Sequence, residues 1–185
     1  MKNSKSIVIS HLLLVASLLL WGVGASAQQP TPKQSAKAYQ LSESDEGAIR
    51  DMIKNQETAW NKHDMKAFTK SFRDDVEGIN VIGMYWRGKA AVLKHLTDYH
   101  ASIFKHLEET LDEAEIRSIG DGYAIAVSIW KVGSFKAPNG VEVPACRHRS
   151  TAVLVKGTDG WKVVHFHNTI IDEGAVKDVP SPPKK

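Results

Sequence analysis

Apolar residues return at helical intervals between Ser42 and Asn61, where Ile49, Met52, Ile53, Ala59 and Trp60 share one stripe and Gln56 falls on it as a polar member. Ser42 and Asp45 have the spacing of a capping box, which predicts the start of a helix there. Asp64 is an N-cap for a second short helix that carries Phe68 and Phe72 inward and ends at Asp74-Asp75. Residues 76–86 (VEGINVIGMYW) are rich in β-branched and aromatic types and predict a strand pair or a bent strand, with Gly78 and Gly83 at bulge or turn positions. The clearest stripe follows: Leu93, Leu96, His100, Ile103, Phe104 and Leu107 predict a helix over 89–106 with His100 as its polar member. Four extended segments then occupy 110–119, 123–135, 143–156 and 161–172, separated by turn signals at 120–122, 138–140 and 157–160. Helices first and long antiparallel strands afterwards argue for an α+β fold with the helices packed on one face of a curved sheet.

The two ends of the chain read differently. Residues 1–27 carry a basic start at Lys2 and Lys5, an apolar core and the small-x-small exit Ala25-Ser26-Ala27, the pattern of a cleaved export signal. A retained membrane anchor is the rival reading, and Ser10, His11 and Ser17 interrupt it. The expected compartment is therefore periplasmic or secreted, with no stable membrane anchor after cleavage. Residues 28–41 are polar and proline-containing and read as a flexible linker; residues 42–175 form one domain, and 176–185 a disordered tail. Charge changes the picture little. The full chain has 24 Lys and Arg against 21 Asp and Glu, and losing Lys2 and Lys5 takes its formal net charge from +3 to +1, which is no footprint for nucleic acid. A single cysteine excludes a disulfide scaffold and any Cys-rich zinc or iron–sulfur site.

Four short pieces, Ala59-Trp60-Asn61-Lys62-His63-Asp64, Phe72-Arg73-Asp74-Asp75, Trp86-Arg87-Gly88-Lys89-Ala90 and Gly160 to Thr169 (GWKVVHFHNT), occur in an order that resembles the SnoaL-like group of the nuclear transport factor 2-like superfamily, especially its DUF4440 and SgcJ/EcaC-type members. The likeness runs over about Ser44 to Asp172. It implies a cone-shaped NTF2-like α+β domain, in which N-terminal helices pack on a strongly curved antiparallel sheet around a pocket, and commonly a homodimer. It does not imply one function, because the superfamily includes isomerases, dehydratases, epoxide hydrolases and pure binding domains. The oxidoreductase label attached to SgcJ/EcaC-type proteins finds no nucleotide fingerprint in this sequence, so no cofactor is expected. Ketosteroid isomerase chemistry needs an anionic base and a neutral acid or phenol at the enolate oxygen. The resemblance puts Asn80 at the base position, Gln56 at the phenol position and Val153 near the later acid. That proton transfer is not expected here, while the pocket survives without it.

The expected site is a mostly apolar pocket for a small hydrophobic molecule. Gln56 and His100 are polar groups on apolar stripes, which a wet cavity or a satisfied hydrogen bond explains equally well for His100. Trp60, Tyr85, Trp86 and Trp130 are core residues first and an apolar wall second. Alternation along the last two strands leaves two orientations open: one brings Arg149 and Asn168 to the cavity, the other His165 and His167. The ligand-binding candidates are thus Gln56, Trp60, Asn80, Tyr85, His100, Trp130, Arg149, His167 and Asn168, with His100 the candidate general base should the domain be an enzyme. Cys146, His148, His165 and His167 form a conceivable zinc set, but antiparallel pairing separates the two pairs and no metal is expected. Cys146 is read as a buried inert thiol, and Glu108, Glu109, Asp112, Glu113 and Glu115 as a solvated acidic edge.

Overall fold

Ser42 starts the first helix as its spacing predicts. Its Oγ accepts the amide of Asp45 at 3.1 Å, and α1 (Glu43–Asn61) opens with Glu43, Asp45 and Glu46 in a first turn whose free amides favour negative charge. The computed structural model describes residues 39–179 apart from Pro138; the expected export signal, most of the linker and the end of the tail lie outside the described residues. Asp64 caps α2 (Met65–Phe68) through a 2.9 Å bond from the amide of Ala67, and a single 3-10 turn, Thr69–Ser71, follows.

Two boundaries differ from the pattern-based expectation. Phe72 is not helical but opens β1 (Phe72–Ile79), and Asp74-Asp75 lie inside that strand rather than ending a helix. β1 pairs on both sides, with β2 (Tyr85–Arg87) and with β8 (Gly160–Ile170), so ladder bonds override a weak local helical preference. The long helix α3 (Lys89–His100) stops six residues before His106. The Ser102 hydroxyl bonds the carbonyl of Asp98 at 2.6 Å and the Phe104 amide reaches back five residues to Tyr99, so the chain leaves helical register in a run of turns. Ile103, Phe104 and Leu107 still face inward, which is why their spacing imitates a continuing helix.

The remaining strands are β3 (Glu109–Gly120), β4 (Tyr123–Val132), the short β5 (Phe135–Lys136) and β6 (Glu142–Val143), and β7 (Cys146–Gly157); α4 (Glu173–Val176) follows β8. Six of the eight strands form one sheet in the order β2-β1-β8-β7-β4-β3, antiparallel except for the parallel β1–β8 pair, and β5 and β6 form a separate two-stranded ribbon. The helices pack on its inner face around a core that includes Ile49, Val76, Val92 and Leu154, all fully buried. The architecture is the α+β, curved-sheet arrangement that the element order predicts.

One irregularity decides which side chains face inward. β7 and β8 pair at Lys156 and Trp161 across the expected turn, but the register shifts between Val153, opposite His165, and Leu154, opposite Val163. Val164 is the extra residue of a β-bulge. Simple alternation would put Val163 and Phe166 on opposite faces; both are buried, at 2% and 9% exposure. Across the bulge Trp161 and Val163 therefore share the inner side with Phe166 and Asn168.

Gly78, opposite Phe166 in the parallel pair, is required by close approach rather than by backbone conformation. A Cβ placed there would lie 2.1 Å from the Phe166 ring. Replacing Gly78 by Val should therefore displace the ring that forms part of the pocket wall and cost about 1–3 kcal/mol, read as a lower urea midpoint with an unchanged slope.

Candidate functional site

A cavity of about 560 Å³ lies between the inner face of the sheet and the helices. Its walls are apolar for most of their extent: Met52, Ile53 and Trp60 come from α1, Phe68 and Phe72 from the α2–β1 corner, Leu96 from α3, and Ile103, Phe104 and Leu107 from the turns after it. Phe135, Ala137 and Val143 reach it from the β5–β6 ribbon, and Val81 and Ile82 from the β1–β2 hairpin.

The sheet supplies most of the polar groups, in rows set by strand register. Ser128, Ser150 and Asn168 stand side by side on β4, β7 and β8; the next row is Trp130, His148 and Ile170; the last is Glu109, Val132 and Cys146. The Trp130 indole donates to Ser128 Oγ at 2.9 Å, which leaves that hydroxyl's own proton free to point elsewhere. Asn168 Oδ1 and the indole Nε1 of Trp60 are buried and without a hydrogen-bond partner. Both residues line the cavity, so both atoms are open to whatever occupies it, water or a bound molecule.

Glu109 is the unexpected member. Far from lying on a solvated edge with its acidic neighbours, it is only 9% exposed and lines the cavity, because Leu107, Glu109 and Leu111 alternate inward at the start of β3. That alternation is visible in the sequence; the run of charges around it hides the signal. Its backbone is held by α1: Asn61 Nδ2 donates to the Glu109 carbonyl at 2.8 Å and Asn61 Oδ1 accepts the Glu109 amide at 2.9 Å. One turn earlier on the same helix, Glu57 accepts the Leu111 amide at 2.9 Å. Two side chains of a helix thus stand in for a missing strand along the sheet edge.

Glu57 and Glu109 are both only 9% exposed, but Glu109 lies deep in the cavity wall and Glu57 near the surface beside Lys54, and they behave oppositely. Burial acts to raise the Glu57 carboxyl, but the Lys54 ammonium and the Leu111 amide reverse this and hold it below the usual range. Glu109 has no side-chain hydrogen bond among the described residues, and burial alone pushes it up to about 8. His148 is driven down to about 4 by burial, and the Cys146 thiol is raised by burial and then by Glu109. Among the described residues no lysine or arginine lines the cavity, and burial favours the neutral forms of Glu109, His148 and Cys146.

Five of the nine candidate residues lie in the cavity wall: Gln56, Trp60, Asn80, Trp130 and Asn168. Three of these have partners already, Trp130 through Ser128 as above. Gln56 Nε2 donates to Ser71 Oγ at 3.2 Å, and Asn80 Oδ1 accepts the Ile82 and Met84 amides at 3.1 and 2.9 Å, closing the β1–β2 hairpin. The other four lie elsewhere. Tyr85 is 46% exposed on the edge strand, beneath the Arg87 guanidinium. Arg149 and His167 face outward and are exposed: unbroken alternation along β7 from buried Leu154 puts Ser150 and His148 inside and Arg149 outside, and the bulge at Val164 turns His167 outward on β8. His100 is buried behind Trp60, 4.4 Å between ring centroids, and its Nδ1 lies 2.7 Å from His63 Nδ1. Burial, and secondarily His63, pushes its pKa down to about 4. It does not reach the cavity, and its Nε2 is enclosed without a partner, so it has no access to a ligand proton.

The sequence matches the SnoaL-like domain family over residues 49–173. Among solved structures, an uncharacterised cystatin-like-fold protein from Caulobacter vibrioides is 31% identical, with a TM-score of 0.71 over 74% of this chain and 96% of that one. An NTF2-like protein of unknown function from Pseudomonas putida KT2440 is 20% identical, with a TM-score of 0.61 over 78% and 99% of the two chains. An NTF2-like protein from Novosphingobium aromaticivorans is 19% identical, with a TM-score of 0.59 over 70% and 83%. No curated protein matches the sequence.

The raised Glu109 carboxyl makes stability depend on pH in a set direction. Its folded pKa of about 8 exceeds the ordinary 4.5, so between those values the unfolded chain has released a proton that the folded chain retains, and stability falls as pH rises through the window. Glu109→Gln should remove that loss. The variant is expected to be more stable than the parent at pH 8, by on the order of 1 kcal/mol for each pH unit crossed, with the gap closing below pH 4.5 in urea unfolding series.

Proposed function

We propose that this chain, which belongs to the SnoaL-like domain family, binds a small, mostly apolar molecule in the cavity between helices and sheet. The observation that carries the reading is the cavity itself: about 560 Å³ walled by Trp60, Phe68, Phe72, Trp130 and Phe166, a volume the core would fill with side chains if stability were its only use. The few polar groups in it, Ser128, Ser150, Asn168 and Glu109, are placed to orient a ligand rather than to dissolve one. Three tryptophans in the wall make binding visible. The neutral probe N-phenyl-1-naphthylamine should bind with enhanced emission and quench tryptophan fluorescence; Ser150→Trp, which fills the middle row, should weaken it at least tenfold while circular dichroism shows the fold intact. A probe that binds both proteins equally would overturn the reading.

A catalytic role has one observation in its favour. Glu109 holds a proton at neutral pH inside an apolar site and can donate it, while neutral His148 in the same wall can accept one. This replaces His100 as the acid–base candidate for an isomerase- or dehydratase-type reaction.

Export and self-association complete the proposal. Residues 1–27 act as a cleaved export signal that delivers the domain to the periplasm or beyond. The outer sheet face, where half-buried Ile125, Val127, Ile129 and Val153 stand between charged borders, is the surface for a homodimer. Native mass spectrometry of protein taken from the periplasm should give twice the mass of residues 28–185; a monomer, or a chain that retains residue 1, would refute the corresponding half.

A further inference from the structure

A carboxyl is a costly group to enclose without a partner, and the cavity holds one. Glu109 is more than nine-tenths buried, its backbone is locked to α1 by both ends of the Asn61 amide, and its carboxyl makes no hydrogen bond among the described residues. Asn61 and the inward alternation of Leu107, Glu109 and Leu111 prevent it from swinging out to water. What a hydrogen-bonding group alone would do there, a glutamine or serine would do at lower desolvation cost. The property that a carboxylate adds is a negative charge opposite a cation.

The surroundings supply no such cation. The titratable groups that line the cavity with Glu109 are Cys146 and His148 on β7 and Tyr99 on α3, none of them cationic at neutral pH. Lys131, next to Val132 on β4, pairs with Asp112 on the outer side, and Glu57 on α1 is committed to Lys54 and the Leu111 amide. No lysine or arginine enters the lining. An anionic ligand such as a fatty acid would meet an acid and no base.

We propose that the cavity selects an apolar molecule bearing a protonated amine, with Glu109 as the counter-ion that fixes the amine at the β3 end of the pocket and the apolar body lying against Trp60 and Trp130. This rests on the small-molecule reading above and specifies its chemistry. Binding converts the carboxylic acid to a carboxylate: the Glu109 O–H proton leaves to solvent, the ammonium keeps its own, and charge balances as one proton is released per amine bound. Since the free carboxyl titrates at about 8, apparent amine affinity should fall tenfold for each pH unit below that value and be flat above it until the amine itself deprotonates.

A matched series with one apolar body separates the possibilities: n-octylamine, 1-octanol and octanoic acid, each titrated calorimetrically against the mature protein at pH 7. Octylamine should bind at least tenfold more tightly than octanol, and octanoic acid most weakly. Repeating the octylamine titration in two buffers of different ionisation enthalpy should show close to one proton released, and none for octanol. In Glu109→Gln the amine's advantage should disappear. Octanol or octanoic acid binding as tightly as the amine, or amine binding without proton release in the unmodified protein, would overturn the proposal and leave the small-molecule reading standing. If none of the three binds, the small-molecule reading falls with it.

Discussion

Helix α1 is tied to the sheet by hydrogen bonds at both of its ends, and the rest of the domain is arranged around that span. At its start Asp45 accepts the Trp161 indole at 2.9 Å and pairs with Lys156 Nζ at 2.7 Å, which joins the helix to the β7–β8 turn. At its finish Glu57 and Asn61 bond the backbone of β3 at the far edge. Non-directional apolar packing would let the helix settle wherever it buried most surface. Polar ties at two separated points instead determine where it crosses, so the space beneath its second half, walled by Met52, Ile53, Gln56 and Trp60, persists as a cavity.

The same ties explain why the pocket contains an acid. β3 is an edge strand whose outward backbone groups need partners, and the Asn61 amide, with one donor and one acceptor, matches what a neighbouring strand would offer. By holding the Glu109 backbone, it holds the side chain inside. Two glutamates in equal environments would titrate alike; here Glu57 finds Lys54 and an amide while Glu109 is enclosed by apolar walls, and their pKa values part in opposite directions. Depth and partnering together decide the charge state of each: Glu109 is deeply enclosed without a partner among the described residues, Glu57 shallow and paired with Lys54.

Family membership is informative about this architecture and silent about the chemistry. A SnoaL-like domain provides a pocket in a predictable place, and relatives that share the fold at about 20% identity show the fold alone. The structure commits Asn80 to its hairpin and Gln56 to Ser71. The polar equipment that remains, Glu109, His148, Ser150 and Asn168, comes from strands β3, β7 and β8.

Much of this was legible in the order of residues. Ser42 and Asp64 announce helix starts because an N-cap acts within three residues, and the turns at 120–122 and 157–160 announce the strand ends because glycine permits backbone conformations few other residues adopt. Gln56, Trp60 and Trp130 reach the cavity from stripes and alternations that are local. What the chain's order could not disclose depends on partners far away. The bulge at Val164 reverses the face of the β8 residues beyond it, which is why Phe166 and Asn168 enter beside Ala152 and Ser150 of β7 and His167 leaves. His100 shares a helical stripe with true core residues, and only the packing of Trp60 and His63 around it shows that its polar end stops short of the ligand space. Glu109 reads as one of several surface acids until Asn61, 48 residues away, pins it inward. Local patterns encode which elements form because their causes act over a few residues. Which side chain meets a ligand is settled by register and by contacts between distant segments, and those exist only once the sheet has closed over the helix.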